Sequence, residues 1–148
     1  AIDVVNHLIS AMGVSVLATV RFPGDEENGP AVDIQGEDSG LLIGKQGETL
    51  GSLQFLVNLL LNSVQRNHPL VVVDVEGYKE RRARALESMA SRVAARVVAN
   101  GRSVEMEPMS PAARRVVHMS LAEHPSVTTE SAGEGNQRRV TVMPRRDM

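Results

Sequence analysis

The tetrapeptide Gly44-Lys45-Gln46-Gly47, called the GKQG loop below, lies between two helical patterns and limits the folds open to this 148-residue chain. Glycine adopts backbone conformations that other residues avoid, so a glycine at each end predicts a tight turn. A short helical segment, capped by Asp38 or Ser39, leads into the loop, and a longer helix follows it. The loop therefore predicts a corner between two helices.

Hydrophobic periodicity predicts a regular order of elements around the GKQG loop. Apolar residues at helical spacing indicate helices, and alternating or β-branched runs bounded by glycine and proline indicate strands. The predicted elements are a helix at 2–12, strands at 14–22 and 31–36, the short helical segment, a helix at 48–65 and a strand at 70–75. The order over the first half of the chain is therefore αββααβ.

The helix predicted at 48–65 is apolar on nearly every side. One stripe at helical spacing contains Leu50, Leu53, Leu56, Val57, Leu60 and Val64. Other faces carry Phe55, Leu59 and Leu61. A helix of this kind needs cover on more than one side, so we expect the first half to self-associate or to pair with another protein.

The second half of the chain predicts a separate small domain. Ser110 is expected to cap a helix that has Pro111 at its first position. The predicted elements are helices at 78–99 and 111–123 and strands at 102–107, 125–131 and 138–143. Their order is αβαββ, which gives an α+β fold of two small α/β-sandwich domains, at residues 1–76 and 77–148.

The formal net charge of −2 conceals a difference between these two halves. Residues 1–76 carry 3 basic and 10 acidic residues, whereas residues 77–148 carry 13 basic and 8 acidic residues. We therefore expect the second half to be the one that contacts phosphate. Arginine supplies 14 of the 16 basic residues, which suits phosphate binding, although genome composition would produce the same excess.

Composition excludes several classes of site. The chain has no Cys, which excludes disulfides and Cys-ligated zinc or iron–sulfur centres and is typical of a reducing cytoplasm. No spacing of His, Asp and Glu suggests a metal site, so we expect neither a metal nor another cofactor. Phe22, Phe55 and Tyr78 are the only aromatic residues, too few for domains that stack bases on a row of aromatics.

No targeting segment is visible in the sequence. Polar residues interrupt the first twelve residues, so these do not resemble the core of a signal peptide. The sequence also lacks a continuous apolar run of about 18 residues, so we expect no membrane insertion and a cytoplasmic location. The chain begins with Ala1 rather than Met, as a trimmed fragment would.

The GKQG loop in this context resembles the loop of a KH domain. The phrase Leu42-Ile43-Gly44-Lys45-Gln46-Gly47-Glu48, together with the order αββααβ, is similar to a type II KH domain over residues 1–76. KH loops hold about four nucleotides of single-stranded RNA or DNA. The resemblance implies that Gly44, Lys45, Gln46 and Gly47 contact nucleic-acid backbone, with the following helix N-terminus adding N–H donors.

A nucleotide-binding P-loop is a poor alternative for the same residues. The P-loop pattern requires a glycine five residues before Gly44-Lys45 and then Ser or Thr. The chain has Ser39 and Gln46 at these two positions, so both anchors are absent.

A second motif lies in the helix that begins near Pro111. Arg114 and His118 are one helical turn apart and share a face. Residues 109–118 resemble the motif of the R-three-H domain, and residues 131–140 are similar to its later hairpin. Domains of this family are associated with single-stranded nucleic acid. The resemblance implies contacts from Arg114, His118 and Arg115, with Arg138 and Arg139 extending the path.

A KH domain followed directly by an R-three-H domain resembles the bacterial Jag family, the SpoIIIJ-associated proteins. That family is described as RNA-binding and is linked to cell-envelope growth, division or sporulation and to a small companion KH protein. Two departures stand out. The small amino-terminal domain of many members is missing from this sequence, and Ala113 stands where members often carry Glu, which puts the orientation of Arg114 in doubt.

These observations favour non-catalytic binding of single-stranded nucleic acid, with RNA favoured over DNA. The alternative is a protein-interaction module that dimerises through the KH domain, with nucleic acid secondary. A nuclease is a third hypothesis, which rests on His118 and the basic surface alone, because the sequence indicates no nucleophile or carboxylate partner. We therefore do not expect an enzyme. The partners expected are single-stranded RNA and either a second copy of the chain or a small KH protein.

Overall fold

The computed structural model describes residues 1–146, which form two compact units, Ala1–Glu80 and a second that begins at Arg81. The first contains α1 (Ile2–Met12), β1 (Leu17–Phe22), β2 (Ala31–Gln35), α2 (Ser39–Ile43), α3 (Glu48–Val64) and β3 (Val72–Val75). Next come α4 (Tyr78–Asn100), β4 (Val104–Glu105), α5 (Pro111–Leu121), β5 (Val127–Ala132) and β6 (Arg139–Pro144). The predicted element order and the α+β class are confirmed.

The sheet of the first unit has the order β1-β2-β3. β1 pairs with β2 in antiparallel fashion, and β2 pairs with β3 in parallel, with Val32 opposite Val73 and Ile34 opposite Val75. The side chains of these four residues are fully buried and pack against apolar residues of the three helices. This core fixes α2 and α3, and with them the GKQG loop.

The free edge of β3 is closed by two amide side chains of α3. Asn58 accepts a hydrogen bond from the Val71 N–H at 2.8 Å through Oδ1 and donates to the Val71 carbonyl at 3.0 Å through Nδ2. Gln54 accepts from the Val73 N–H at 3.0 Å. Because an open strand edge invites pairing with another strand, these amides make β3 unsuitable for strand addition.

One face of α3 is exposed, and the stripe predicted from the sequence is divided between the core and this face. Leu50, Leu53 and Val57 are buried as expected. The exposed residues are Leu56, Leu60 and Val64 of the predicted stripe, together with Phe55 and Leu59. The reason is that Gln54 and Asn58 occupy the side of α3 next to β3, which rotates the core-facing line away from the expected stripe.

The second unit has a three-stranded antiparallel sheet in the order β4-β6-β5. Its core joins α4, α5 and the sheet through residues such as Leu86, Val97, Val117 and Val140. The predicted start of α5 is confirmed, since the Ser110 hydroxyl accepts a hydrogen bond from the Ala113 N–H at 3.2 Å and Pro111 is the first helical residue. β4 has only two residues, shorter than the strand predicted at 102–107.

Residues 1–146 contain neither a membrane-spanning helix nor a cluster of metal-ligating side chains. None of the helices there is long and apolar enough to cross a membrane. That same part of the chain has no group of three or more His, Cys, Asp or Glu residues placed to hold a metal ion.

Candidate nucleic-acid interface

The backbone of the GKQG loop needs both of its glycines. Gly44, Gln46 and Gly47 all have positive φ, at 70°, 56° and 81°. A Cβ on Gly44 would overlap the side chain of Thr49. Both glycines are therefore required by the conformation of the loop and by its packing inside the first unit.

The two central residues of the loop present free polar side chains. Lys45 and Gln46 are exposed, and within residues 1–146 neither side chain makes a hydrogen bond or an ion pair. Gly47 is the N-cap of α3 and supplies no side-chain cap for its first turn. The loop thus combines one cation, one amide and uncapped helical N–H groups, an arrangement that suits an anionic acceptor such as phosphate.

Tyr78 supports the loop from the first turn of α4. A Cβ on Gly47 would come within 2.8 Å of Cε2 of the Tyr78 ring, so the ring lies directly against the glycine backbone. Tyr78 is half-buried and packs on the core of the first unit. The sequence predicted no role for Tyr78, because a local pattern does not show a contact between residues that are 31 positions apart.

The start of α4 is anchored beside Tyr78 by Asp74 and Lys79. Asp74 is buried, and its Oδ1 accepts hydrogen bonds from the backbone N–H groups of Val75 at 2.9 Å and Lys79 at 3.2 Å. The Lys79 ammonium donates to Gln54 Oε1 at 2.5 Å. Burial lowers the pKa of Lys79, and the carboxylate of Asp74 opposes that shift. These contacts fix the position from which Tyr78 reaches Gly47.

Arg114 and Arg115 lie on α5 and differ in whether their side chains form hydrogen bonds within the fold. The Nη1 of Arg114 donates to the Met109 carbonyl at 2.8 Å, and the side chain is half-buried. Arg115 is exposed, and among residues 1–146 it has no hydrogen bond or ion pair. Arg115 therefore offers a whole guanidinium to a ligand, whereas Arg114 offers the donors that Met109 leaves free.

His118 is held by two hydroxyl groups of β5. Its Nδ1 lies 2.7 Å from Thr129 Oγ1, and its Nε2 lies 2.7 Å from Ser131 Oγ. A neutral imidazole donates through one nitrogen and accepts through the other, so both ring atoms are used. The sequence predicted a direct ligand contact from His118. That contact stays a prediction, and the structure adds that the ring joins α5 to β5 and orients two hydroxyls.

Arg138 and Arg139 lie at the start of β6 and bond mainly to the turn before it. Arg138 donates to the Gly133 carbonyl at 2.8 Å. Arg139 donates to the Gln137 carbonyl at 3.3 Å and lies 3.9 Å from a carboxylate oxygen of Glu105. Ala132 pairs with Arg139 across the β5–β6 ladder. The two arginines therefore begin next to the end of β5 that carries Ser131.

The candidate site residues fall into two groups, one in each unit. The GKQG loop forms the first group. The second is the α5–β5 surface, which we define as Arg114, Arg115, His118, Thr129, Ser131, Arg138 and Arg139. Thr129 and Ser131 were missed by the sequence analysis, although their alternation along a strand next to the expected R-three-H hairpin is a signal that could have placed both on one face.

Comparison with known proteins matches both units. The model of the KhpA/KhpB KH domain matches residues 2–75, and that of the R-three-H domain matches residues 84–144. A relative from Clostridium symbiosum, named RNA-binding protein KhpB, is 38% identical over 99% of this chain and 66% of its own length. Proteins of the same name from Lactiplantibacillus plantarum and Bacillus subtilis are 41% and 35% identical over 72% and 76% of this chain.

The chain spans 33% of the L. plantarum protein and 55% of the B. subtilis protein, so these relatives are longer than the sequence described here. The two domain matches occur in the order expected from the sequence, and together they cover nearly all of the residues that the structure describes. The chain therefore belongs to the KhpB family, the Jag family to which its motifs were likened.

Proposed function

We propose that this chain binds single-stranded RNA without catalysing a reaction, through the GKQG loop of the first unit and the α5–β5 surface of the second. The observation that carries the proposal is the GKQG loop itself. Its exposed Lys45 and Gln46 project from a backbone that has no Cβ at either end. The names of the relatives, each called an RNA-binding protein, support RNA as the ligand.

The residues of the loop have separate roles in this proposal. Gly44 and Gly47 allow the RNA backbone to approach, and Lys45 neutralises a phosphate. Gln46 donates a neutral hydrogen bond to phosphate or sugar. Tyr78 acts indirectly, because its ring fixes the backbone of Gly47.

The α5–β5 surface supplies most of the positive charge. Arg115 contacts phosphate with a free guanidinium, and Arg114 does so with the donors that remain beside its bond to Met109. His118 is a positioning residue, whose ring holds the hydroxyls of Thr129 and Ser131 toward the ligand. Arg138 and Arg139 extend the contact along the start of β6. Because residues 1–76 have a net charge of −7, we expect the first unit alone to bind RNA weakly.

The proposal assigns no catalytic residue. General acid–base catalysis needs a titratable group within reach of the substrate proton, and both nitrogens of the best candidate, His118, are bonded to hydroxyls of the same unit. We place the protein in the cytoplasm, which the absence of Cys supports. A role in envelope growth or division follows from the family resemblance only.

Protein association through the first unit is a second candidate function. The exposed apolar residues of α3 include Phe55 at 66% and Leu59 at 52% exposure. Such a face is typical of a surface that another protein covers. The occupant proposed is a second copy of this KH domain or a small KH protein, and β3 takes no part because its edge is closed by Gln54 and Asn58.

Salt-dependent binding of a labelled single-stranded RNA tests the RNA-binding proposal. We expect measurable affinity for single-stranded RNA, weaker affinity for the same sequence in a duplex, and no loss of RNA length after incubation with magnesium. Arg115→Ala removes one phosphate contact, so the log–log salt slope should become shallower by about 0.7. Equal affinity for both RNA forms, or RNA cleavage by the purified protein, would contradict the proposal.

A further inference from the structure

A separate basic concavity lies at the C-terminal end of α4. It is open to solvent, has a volume of about 480 Å³, and is lined by Arg96, Asn100, Arg102, Ser103 and Val104. Four of these five residues carry polar side chains, and two of them are arginines. We call this the α4–β4 site, and none of its members belongs to the GKQG loop or the α5–β5 surface.

The two guanidinium groups of the site are unpaired in the part of the chain that the structure describes. Among residues 1–146, neither Arg96 nor Arg102 makes a hydrogen bond or an ion pair. The nearest acidic residue along the chain, Glu105, faces Arg139 at 3.9 Å. Two cations therefore line one concavity without a counter-charge, which raises the local potential for an anion.

We propose that the α4–β4 site binds phosphodiester groups of a single-stranded nucleic acid, which makes it an additional contact of the RNA-binding function proposed above and dependent on it. The planar fork of arginine matches two phosphate oxygens. The amide of Asn100 and the hydroxyl of Ser103 add neutral donors. Such a site contacts phosphate and not the sugar, so its contribution to affinity should be the same for RNA and for single-stranded DNA.

The position of the site separates it from the Thr129 and Ser131 hydroxyls, whereas Arg139 of the α5–β5 surface reaches Glu105, next to Val104. In the sheet order β4-β6-β5, the strand β4 next to the site and the strand β5 that carries Thr129 and Ser131 are the two opposite edges. A single-stranded nucleic acid that contacts both the α4–β4 site and the hydroxyls of β5 must therefore cross the sheet of the second unit. The α4–β4 site therefore lengthens the nucleic-acid footprint of this unit rather than strengthening the contact at β5.

A purely structural role for Arg96 and Arg102 would give a different result when the two arginines are replaced. The C-terminal end of a helix carries partial negative charge, which cations stabilise. If the arginines serve only the end of α4, replacing them should lower the melting temperature and leave nucleic-acid affinity unchanged. The two roles can therefore be separated by measuring both quantities on the same sample.

The experiment compares R96Q/R102Q with R66Q/R146Q, which removes the same charge from two exposed arginines that line no part of the site. Each protein is titrated against a labelled single-stranded RNA and the equivalent single-stranded DNA over a range of salt. For R96Q/R102Q we expect a loss of affinity of about tenfold and a log–log salt slope shallower by about 1.4 for both strands. The control pair and R96K/R102K should keep the wild-type slope.

Arginine Nε–Hε signals in a nitrogen-15 spectrum give a direct readout on the wild-type chain. The signals of Arg96 and Arg102 should shift during titration with RNA, and that of Arg66 should not. Wild-type affinity and salt slope in R96Q/R102Q, with or without a lower melting temperature, would overturn this proposal alone. Failure of the wild-type chain to bind either strand would overturn the proposed function together with it.

Discussion

The ring of Tyr78 lies against the backbone of Gly47, at a distance that would leave only 2.8 Å between Cε2 and a Cβ on the glycine. Gly47 closes the GKQG loop, and Tyr78 is the first residue of α4. The first turn of α4, which belongs to the first unit, thus fixes the loop of that unit. The geometry of the candidate site therefore depends on a contact that neither motif contains.

Gly47→Ala should weaken RNA binding by about tenfold or more and should also lower stability. The new methyl group meets the Tyr78 ring, and φ at 81° is unfavourable for alanine. Affinity and thermal unfolding measured on the same preparation check both effects. Gly51→Ala is the matched control, because Gly51 lies inside α3 with open space around it. That variant should gain about 1 kcal/mol in stability and bind normally; equal behaviour of the two variants would contradict the role given to Tyr78.

The double variant Lys45→Asp/Gln46→Asp should lose at least about tenfold in RNA affinity, or ~1.4 kcal/mol. Two carboxylates then stand where phosphate is expected, while both positions are exposed and the fold is unaffected. The control is Gln65→Asp/Arg66→Asp, an exposed pair in the same unit that changes the charge by the same amount. Unchanged affinity in the folded loop variant would remove the GKQG loop from the site.

His118→Ala should lower the free energy of unfolding by about 1–3 kcal/mol, because it removes the ring that bonds the hydroxyls of Thr129 and Ser131. It should also weaken RNA binding, since those hydroxyls lose their fixed orientation. The double variant Thr129→Val/Ser131→Ala separates the two effects, because it removes the hydroxyls and keeps the ring. RNA affinity at the wild-type level in this folded double variant would show that the hydroxyls do not contact the ligand.

Leu59→Glu should abolish association through the first unit and leave the fold intact, because Leu59 is 52% exposed on α3. Sedimentation of the wild-type chain at tens of micromolar is expected to show a concentration-dependent mass, and the variant should sediment as a monomer. A wild-type monomer at all concentrations would contradict self-association. The exposed face of α3 would then be expected to bind only a different KH protein.

Lys79 should make folding stability depend on pH in the alkaline range. Burial lowers its pKa in the folded state below the ordinary value of 10.5. Between the two pKa values the unfolded chain binds more protons, so the contribution of Lys79 to stability rises with pH in that window. The free energy of unfolding of the wild type relative to Lys79→Met should therefore increase from neutral pH toward 10.5. A constant difference would show that the ammonium is not desolvated.

Local signals in the sequence were sufficient for the element order and for the two motifs. Ser110 and Pro111 indicated the start of α5, and the glycines of the GKQG loop indicated its turn, because caps and tight turns depend on neighbouring residues. Contacts between distant parts of the chain were not predictable in this way. The role of Tyr78 is an example, as is the closure of the β3 edge by Gln54 and Asn58.

The apolar pattern of α3 indicated a helix that needs cover on more than one side, but it did not indicate which residues face the core. Leu56 and Leu60 have the spacing of core residues, but two amides on the same helix satisfy the backbone of β3 and determine which side of the helix faces inward. The hydrogen bonds of His118 escaped prediction for a similar reason. The hydroxyls that bond this ring, those of Thr129 and Ser131, belong to β5, whereas His118 lies on α5.

Photo-crosslinking of the wild-type chain to a single-stranded RNA, followed by mapping of the modified peptides, tests most directly whether both units hold the ligand. We expect crosslinks at the GKQG loop and at the α5–β5 surface on the same RNA, and their loss in the presence of excess unlabelled RNA. Crosslinks confined to one unit, or spread over the exposed face of α3 instead, would contradict the account of a two-unit RNA-binding protein.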